Sequence, residues 1–176
     1  MNIAALGLLA TFTGMTAAVL RQGKVEPRRS LSQHISSSSR AILYGKVGLT
    51  LGGFFFVCAL VGYILPAYHL GAIFVVVVIC AACLGTLTAY LPYGMSKRQD
   101  ILHDLCSYGY VVLNPLILCL TYVALPGGTL RALYGVGIGV QIVLIALLVM
   151  VRPARRYFLV GQIVFLSVFA LLLSVS

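Results

Sequence analysis

The sequence predicts an all-α membrane protein, a bundle of six transmembrane helices in one domain over residues 1–176 with both termini outside. Three observations predict it. Apolar residues make up 61 % of the chain and charged residues only 9 %, with a mean hydropathy of +1.09. A soluble domain averages about 45–50 % apolar and about 25 % charged, and three acids, Glu26, Asp100 and Asp104, cannot help twelve basic residues solvate a globule. Six runs reach the roughly 20 apolar residues that a crossing needs: Ile3–Leu20, Ala41–Leu65, Leu70–Tyr93, Ile101–Leu125, Ala132–Val151 and Tyr157–Val175. They are continuously apolar, as in Phe74-Val75-Val76-Val77-Val78-Ile79. The alternation of a barrel strand is missing, so helices must satisfy the backbone in lipid. Eleven of the twelve basic residues fall in or beside the odd-numbered loops, leaving Arg131 alone on the other side. Basic loops stay cytoplasmic, which sets the orientation.

The helices are separated by residues that stop them. Helix one lacks a positive segment before its apolar run, so it reads as a retained span rather than a cleaved signal peptide. Loop one, residues 21–40, holds Arg21, Lys24, Arg28, Arg29, Arg40 and the run Ser36-Ser37-Ser38-Ser39. It reads as a flexible or surface-lying cytoplasmic segment, resting on anionic headgroups at about 1 kcal/mol per basic residue. Leu65-Pro66-Ala67-Tyr68-His69 is expected to be a tight turn between helices two and three. Pro92 and Gly94 end helix three, Pro126-Gly127-Gly128 ends helix four, and Arg152-Pro153 separates helices five and six.

Small residues recur at packing spacing: Ala10, Gly14 and Ala18 on helix one; Gly45, Gly48 and Gly52 on helix two; Ala81, Gly85 and Ala89 on helix three; Gly135, Gly137 and Gly139 on helix five. Close packing through small residues drives helix association in lipid. One such face suits a compact bundle, or a homodimer or larger membrane assembly. Helices two and five match in composition, as the halves of an inverted repeat would.

Helix four is the most polar span. His103, Ser107, Tyr110 and Asn114 fall on one helical face, flanked by Asp104. Ionisable groups in a span usually face the interior or a watery cavity. Pro115 removes one backbone bond and frees a carbonyl beside Asn114. Lys46 on helix two lies at the depth of Asp104, so the two are expected either to pair or to leave Lys46 snorkelling to the headgroups. These six residues are the candidates for ligand binding or proton coupling.

Other signals are weaker. Cys80 and Cys83 read as small apolar filler, because no second pair completes a metal site. All five cysteines lie in predicted spans, which gives no disulfide framework. Helix-held haem would want paired histidines in the spans, and His34 and His69 fall outside them. No cofactor is expected. No G-x-S-x-G, H-E-x-x-H or P-loop is present, and no aromatic-interleaved basic module suits nucleic acid. The tyrosines from Tyr63 to Tyr68 and from Tyr90 to Tyr93 fit interfacial belts.

Two stretches carry a resemblance. One is Leu20-Arg21-Gln22-Gly23 with Pro27-Arg28-Arg29-Ser30-Leu31-Ser32; the other is Leu91-Pro92-Tyr93, Ser96 and His103-Asp104. Together they resemble the uncharacterised multi-helix membrane family filed as domain of unknown function 998. The resemblance covers about the first two-thirds of the chain and departs at Gln22, where that family commonly has proline. It implies a six-helix bundle and no established activity.

The expectation for function is a non-enzymatic protein of the bacterial inner membrane that holds a lipid or small amphiphile between helices, near the cytoplasmic half of helix four. The alternatives are a small proton-coupled transporter using His103 and Asp104, and an intramembrane hydrolase using His103, Asp104 and Ser107. Adjacent residues point about 100° apart on a helix, so the hydrolase would need a second helix to supply partners.

Overall fold

The computed structural model describes residues 2–21 and 25–176, excepting the side chain of Arg155. Gln22, Gly23 and Lys24, which figure in the basic loop and the family resemblance, lie outside the described residues. The described chain is helical: α1 (Ile3–Arg21), the short α2 (Leu31–Ile35), α3 (Ser39–Ala67), α4 (Ala72–Tyr90), α5 (Lys97–Ala124), α6 (Thr129–Met150) and α7 (Phe158–Val175). All but α2 are long and apolar enough to cross a membrane. A 3₁₀ turn, Arg152–Tyr157, joins the last two.

The six long helices form a closed ring. α1 packs most extensively on α3, α3 continues to α4, α4 to α5, α5 to α6 and α6 to α7, and α7 returns to α1. Both termini lie at one end. There Asn2 Nδ2 donates to the Ser174 carbonyl at 2.9 Å. Ser176 Oγ donates to Leu172 O, so the Tyr134 phenol donates to Ser176 Oγ at 2.5 Å. The other end carries α2, residues 91–96 and the 3₁₀ turn.

Helix boundaries depart from the hydropathy runs where capping chemistry outweighs apolarity. α5 begins at Lys97 rather than Ile101, because Ser96 Oγ caps the Gln99 N–H at 3.2 Å. α4 stops at Tyr90 rather than Tyr93, since Leu91 precedes a proline and leaves the helical region. α6 begins at Thr129 rather than Ala132, directly after Gly128, whose φ of 118° suits glycine.

The expected tight turn over Leu65–His69 forms only in its second half. α3 runs through Pro66 to Ala67. Its segment Leu60–Ile64 widens to π-helix, with Leu65 N–H donating to Leu60 O. A widened turn relieves the clash that a proline ring makes with the carbonyl four residues back. The chain reverses only at Tyr68–Leu70, where His69 takes a φ of 51°.

From Val25 onward, loop one is not a loose segment. Ser30 and Gln33 form a capping box that starts α2. Leu31, His34 and Ile35 are buried. His34 Nδ1 donates to the Ser30 carbonyl at 2.9 Å and Nε2 accepts the Glu26 N–H at 3.1 Å. The loop also docks on α7: Leu159 N–H donates to Pro27 O at 3.1 Å, and Leu31 N–H to Gln162 Oε1 at 2.7 Å.

The glycines of helix two meet helix one within the same chain. A Cβ on Gly14 would stand 2.4 Å from Gly48 Cα, and one on Gly52 would stand 1.8 Å from Thr11 Oγ1 and 3.0 Å from Gly7 O. Gly45 faces α2 instead, 2.5 Å from an Ile35 methyl by the same construction. The helix-five set does not share one face. Gly137 packs on Leu172, Gly135 meets the Tyr122 ring, and Gly139 meets nothing within 4 Å. Spacings of two place neighbours about 200° apart on a helix. Helices two and five therefore match in composition without matching in packing.

Candidate functional site

The polar stripe of α5 spreads its residues over three settings. At the end of the bundle opposite the termini, buried His103 joins three segments. Its Nδ1 donates to the Leu91 carbonyl, 2.6 Å away, at the end of α4. Its Nε2 accepts from the Ser32 hydroxyl of α2 at 2.9 Å. The Tyr93 ring stands edge-on at 5.5 Å. Further bonds tie down the same loop. Tyr93 N–H donates to Ser36 Oγ at 2.8 Å, Gln99 Nε2 to Pro92 O at 3.1 Å, and Gly94 N–H to Asp100 Oδ1 at 2.7 Å. The neighbouring Asp104 carboxylate, then burial, then Asp100 hold the Tyr93 phenol above its ordinary pKa.

The partner of His103 is thus Ser32, not Ser107. A serine hydroxyl on a histidine nitrogen is part of a nucleophile's equipment. Here the other nitrogen faces a backbone carbonyl rather than a carboxylate. The arrangement leaves every polar atom of the imidazole bonded within the protein, as a structural clasp requires.

Lys46 does not pair with Asp104. The one ion pair among the described residues is Arg29 with Glu26, at 3.0 Å. Lys46 Nζ lies 4.9 Å from the centre of the Tyr90 ring, an arrangement worth about 0.5–1 kcal/mol when exposed. Equal depth on two helices says nothing of azimuth, and the Lys46 side chain reaches an aromatic ring at the end of α4 instead. Lys46→Ala and Asp104→Ala are therefore expected to lower thermal stability additively, within about 0.5 kcal/mol. A double mutant that loses clearly less than the sum would restore the pair.

Deeper in the ring, Asn114 is buried and donates from Nδ2 to Tyr110 O at 2.8 Å, leaving its Oδ1 without a partner. Pro115 is buried beside it. Between them and the clasp, Tyr110 lies against Gly85 of α4, where an added Cβ would stand 3.1 Å from the ring.

Tyr110 also lines a cavity of about 80 Å³ inside the ring. α1 contributes Thr11 and Phe12, α3 Leu49, Gly53 and Phe56, α4 Ala81, Ala82, Gly85 and Thr86, and α7 Leu166, Phe169 and Ala170. Of the six sequence candidates, only Tyr110 reaches this cavity. His103 is held in the clasp, Lys46 lies over Tyr90, and Ser107 and Asp104 are half-exposed. The cavity residues of α1 and α7 were not legible as a site, because all but Thr11 are apolar and they come from opposite ends of the chain. The only advance signal is the Gly85 spacing that makes room for the Tyr110 ring.

Among the described residues no group of three or more His, Cys, Asp or Glu could hold a metal ion. Cys80 and Cys83 are exposed on the outer face of α4, so they fill no gap in the core. Helix-period spacing put them together, but on the side away from the bundle. Comparison with protein-family models, with curated proteins and with solved structures found no match.

Proposed function

We propose that the protein is a multi-pass membrane protein, of the bacterial inner membrane, that holds a small amphiphile or the end of a lipid chain in the cavity enclosed by α1, α3, α4, α5 and α7. The observation that carries this reading is the cavity itself, apolar over most of its lining, with Thr11, Thr86 and Tyr110 as its polar groups. Concave apolar sites with a few polar groups are where small molecules bind. Outward-facing Leu43, Ile73, Val76, Leu105, Val123 and Val136 are the side chains that a bilayer would cover.

The proton-coupled reading gains little from the geometry. Both nitrogens of His103 are engaged at the end of the bundle. Beyond Asn114, buried Phe74, Ile117, Leu118 and Phe169 fill much of the interior, and the buried polar groups there, Thr121, Tyr134 and Gln141, are neutral rather than carboxylate or imidazole.

Gly53 supplies the test. It lines the cavity, and an added Cβ meets nothing within 4 Å, so a side chain can start there without meeting backbone, and Gly53→Leu adds bulk beside the cavity. Photo-crosslinking with a diazirine-bearing fatty acid should label peptides around Tyr110 in the wild type. Gly53→Leu should cut that labelling at least fivefold while melting stays unchanged. Equal labelling in both proteins would refute the cavity as the site.

The orientation belongs to the same reading. Loop one, residues 97–100 and the 3₁₀ turn are placed in the cytoplasm and both termini outside, on the basic-residue asymmetry. Single cysteines introduced at Arg28 and Lys97 should be protected from an impermeant reagent in whole cells, and one at Gly127 labelled. Labelling from outside at Arg28 would invert the topology.

A further inference from the structure

We propose that Arg28, Arg152 and Arg156 form a binding site for the phosphate group of an anionic membrane lipid. The three side chains, with Pro153, line one open concavity of about 420 Å³ at the end of the bundle opposite the termini. Arg28 comes from loop one, and the others from the 3₁₀ turn before α7. The two segments are bonded together beside the site by Leu159 N–H to Pro27 O and by Leu31 N–H to Gln162 Oε1. The basic cluster is therefore built into the fold rather than gathered by a mobile loop.

No acid neutralises it. Glu26, the nearest in sequence, is taken by Arg29 at 3.0 Å. Asp100 accepts the Gly94 N–H, and Asp104 stands by Tyr93. Arg156 Nε donates to Pro153 O at 3.1 Å, which leaves its terminal nitrogens to face a ligand. Three guanidinium groups held in one concavity repel each other until an anion enters. A tetrahedral phosphate accepts several charge-assisted hydrogen bonds from such forks.

The surroundings favour a lipid over a soluble phosphate. Exposed Met150 and Val151 precede the turn, and exposed Tyr157 and Val160 follow it. A headgroup in the concavity would thus have apolar flanks of α6 and α7 beside it for its acyl chains. This site is separate from the central cavity and does not depend on its occupancy.

Native mass spectrometry of the full chain in zwitterionic detergent provides the test. Phosphatidic acid and phosphatidylcholine of identical chains are added in equal amounts. The wild type should retain phosphatidic acid at least tenfold better than phosphatidylcholine. The Arg28→Gln/Arg152→Gln/Arg156→Gln variant should lose that preference and keep its melting temperature. Lys97→Gln/Arg98→Gln, which removes two charges elsewhere at the same end, should keep the preference. Equal retention of both lipids by the wild type would overturn the proposal, as would equal losses in the two variants. Displacement of the lipid by millimolar inorganic phosphate would overturn the lipid as ligand in favour of a soluble phosphate.

Discussion

Gly48→Val is expected to prevent the bundle from closing. A Cβ at Gly48 stands 2.6 Å from Gly14 Cα and 3.1 Å from Ala10 O, and these obstacles are backbone. A side chain can rotate away from an intruder, but two helix backbones can only separate. Separation would undo the adjoining contacts of Gly52 with Thr11 and Gly7 along the same seam. Overpacking costs about 1–3 kcal/mol where side chains can yield, and about 3 kcal/mol or more is expected here. Since α1 also touches α7, losing the seam opens the ring. The variant should elute as aggregate, or melt far below the wild type, in size-exclusion and thermal assays. Gly139→Val is the control, because nothing lies within 4 Å of its Cβ. Comparable losses from both substitutions would show that the seam is not the origin of the effect.

His103→Ala should give the second large effect, confined to the basic end. It removes the donor to Leu91 O and the acceptor for the Ser32 hydroxyl, both at a buried site. Each polar group left buried without a partner costs about 1–3 kcal/mol. The clasp joins α2, the end of α4 and the start of α5, so its loss should expose the connections more than the spans. Limited trypsin digestion should then cut faster at Arg28, Arg29, Lys97 and Arg98. His103→Gln retains an amide donor and a carbonyl acceptor on a side chain of similar reach, and should recover part of the protection. Ser32→Ala breaks only one bond and should do less harm than His103→Ala. Unchanged cleavage in His103→Ala would mean that the remaining bonds, such as Tyr93 N–H to Ser36 Oγ, hold this end alone.

The two predictions rest on features of different legibility. The glycine spacing of helices one and two was visible, because a repeat of four marks one helix face. Spacing identifies a face able to pack closely but does not name its partner, and Gly45 faces Ile35 of α2 rather than α1. The partner of His103 was not visible. Ser32 lies in a segment read as a flexible loop, although Ser30-Leu31-Ser32-Gln33 carries the capping-box pattern that starts α2. A five-residue helix has too few turns for periodicity to register. Tyr110 was found as a candidate through its polar stripe, while the apolar lining of its cavity had no chemical mark.

By itself, the sequence determined six apolar helices, the punctuation between most of them and the concentration of basic residues at one end. These are local properties: a backbone in an apolar run satisfies its own hydrogen bonds as a helix, and charge follows directly from composition. Tertiary structure alone decided that α7 returns to α1 and closes the ring, that Lys46 takes Tyr90 instead of Asp104, that His103 clasps Ser32, and that Arg28 meets Arg152 and Arg156. Each is a choice of azimuth or partner between segments distant in the chain. Hydropathy and depth are equal for every azimuth of a span. What selects among them is how closely two backbones can approach, set here by Gly14 against Gly48 and Thr11 in the space beside Gly52.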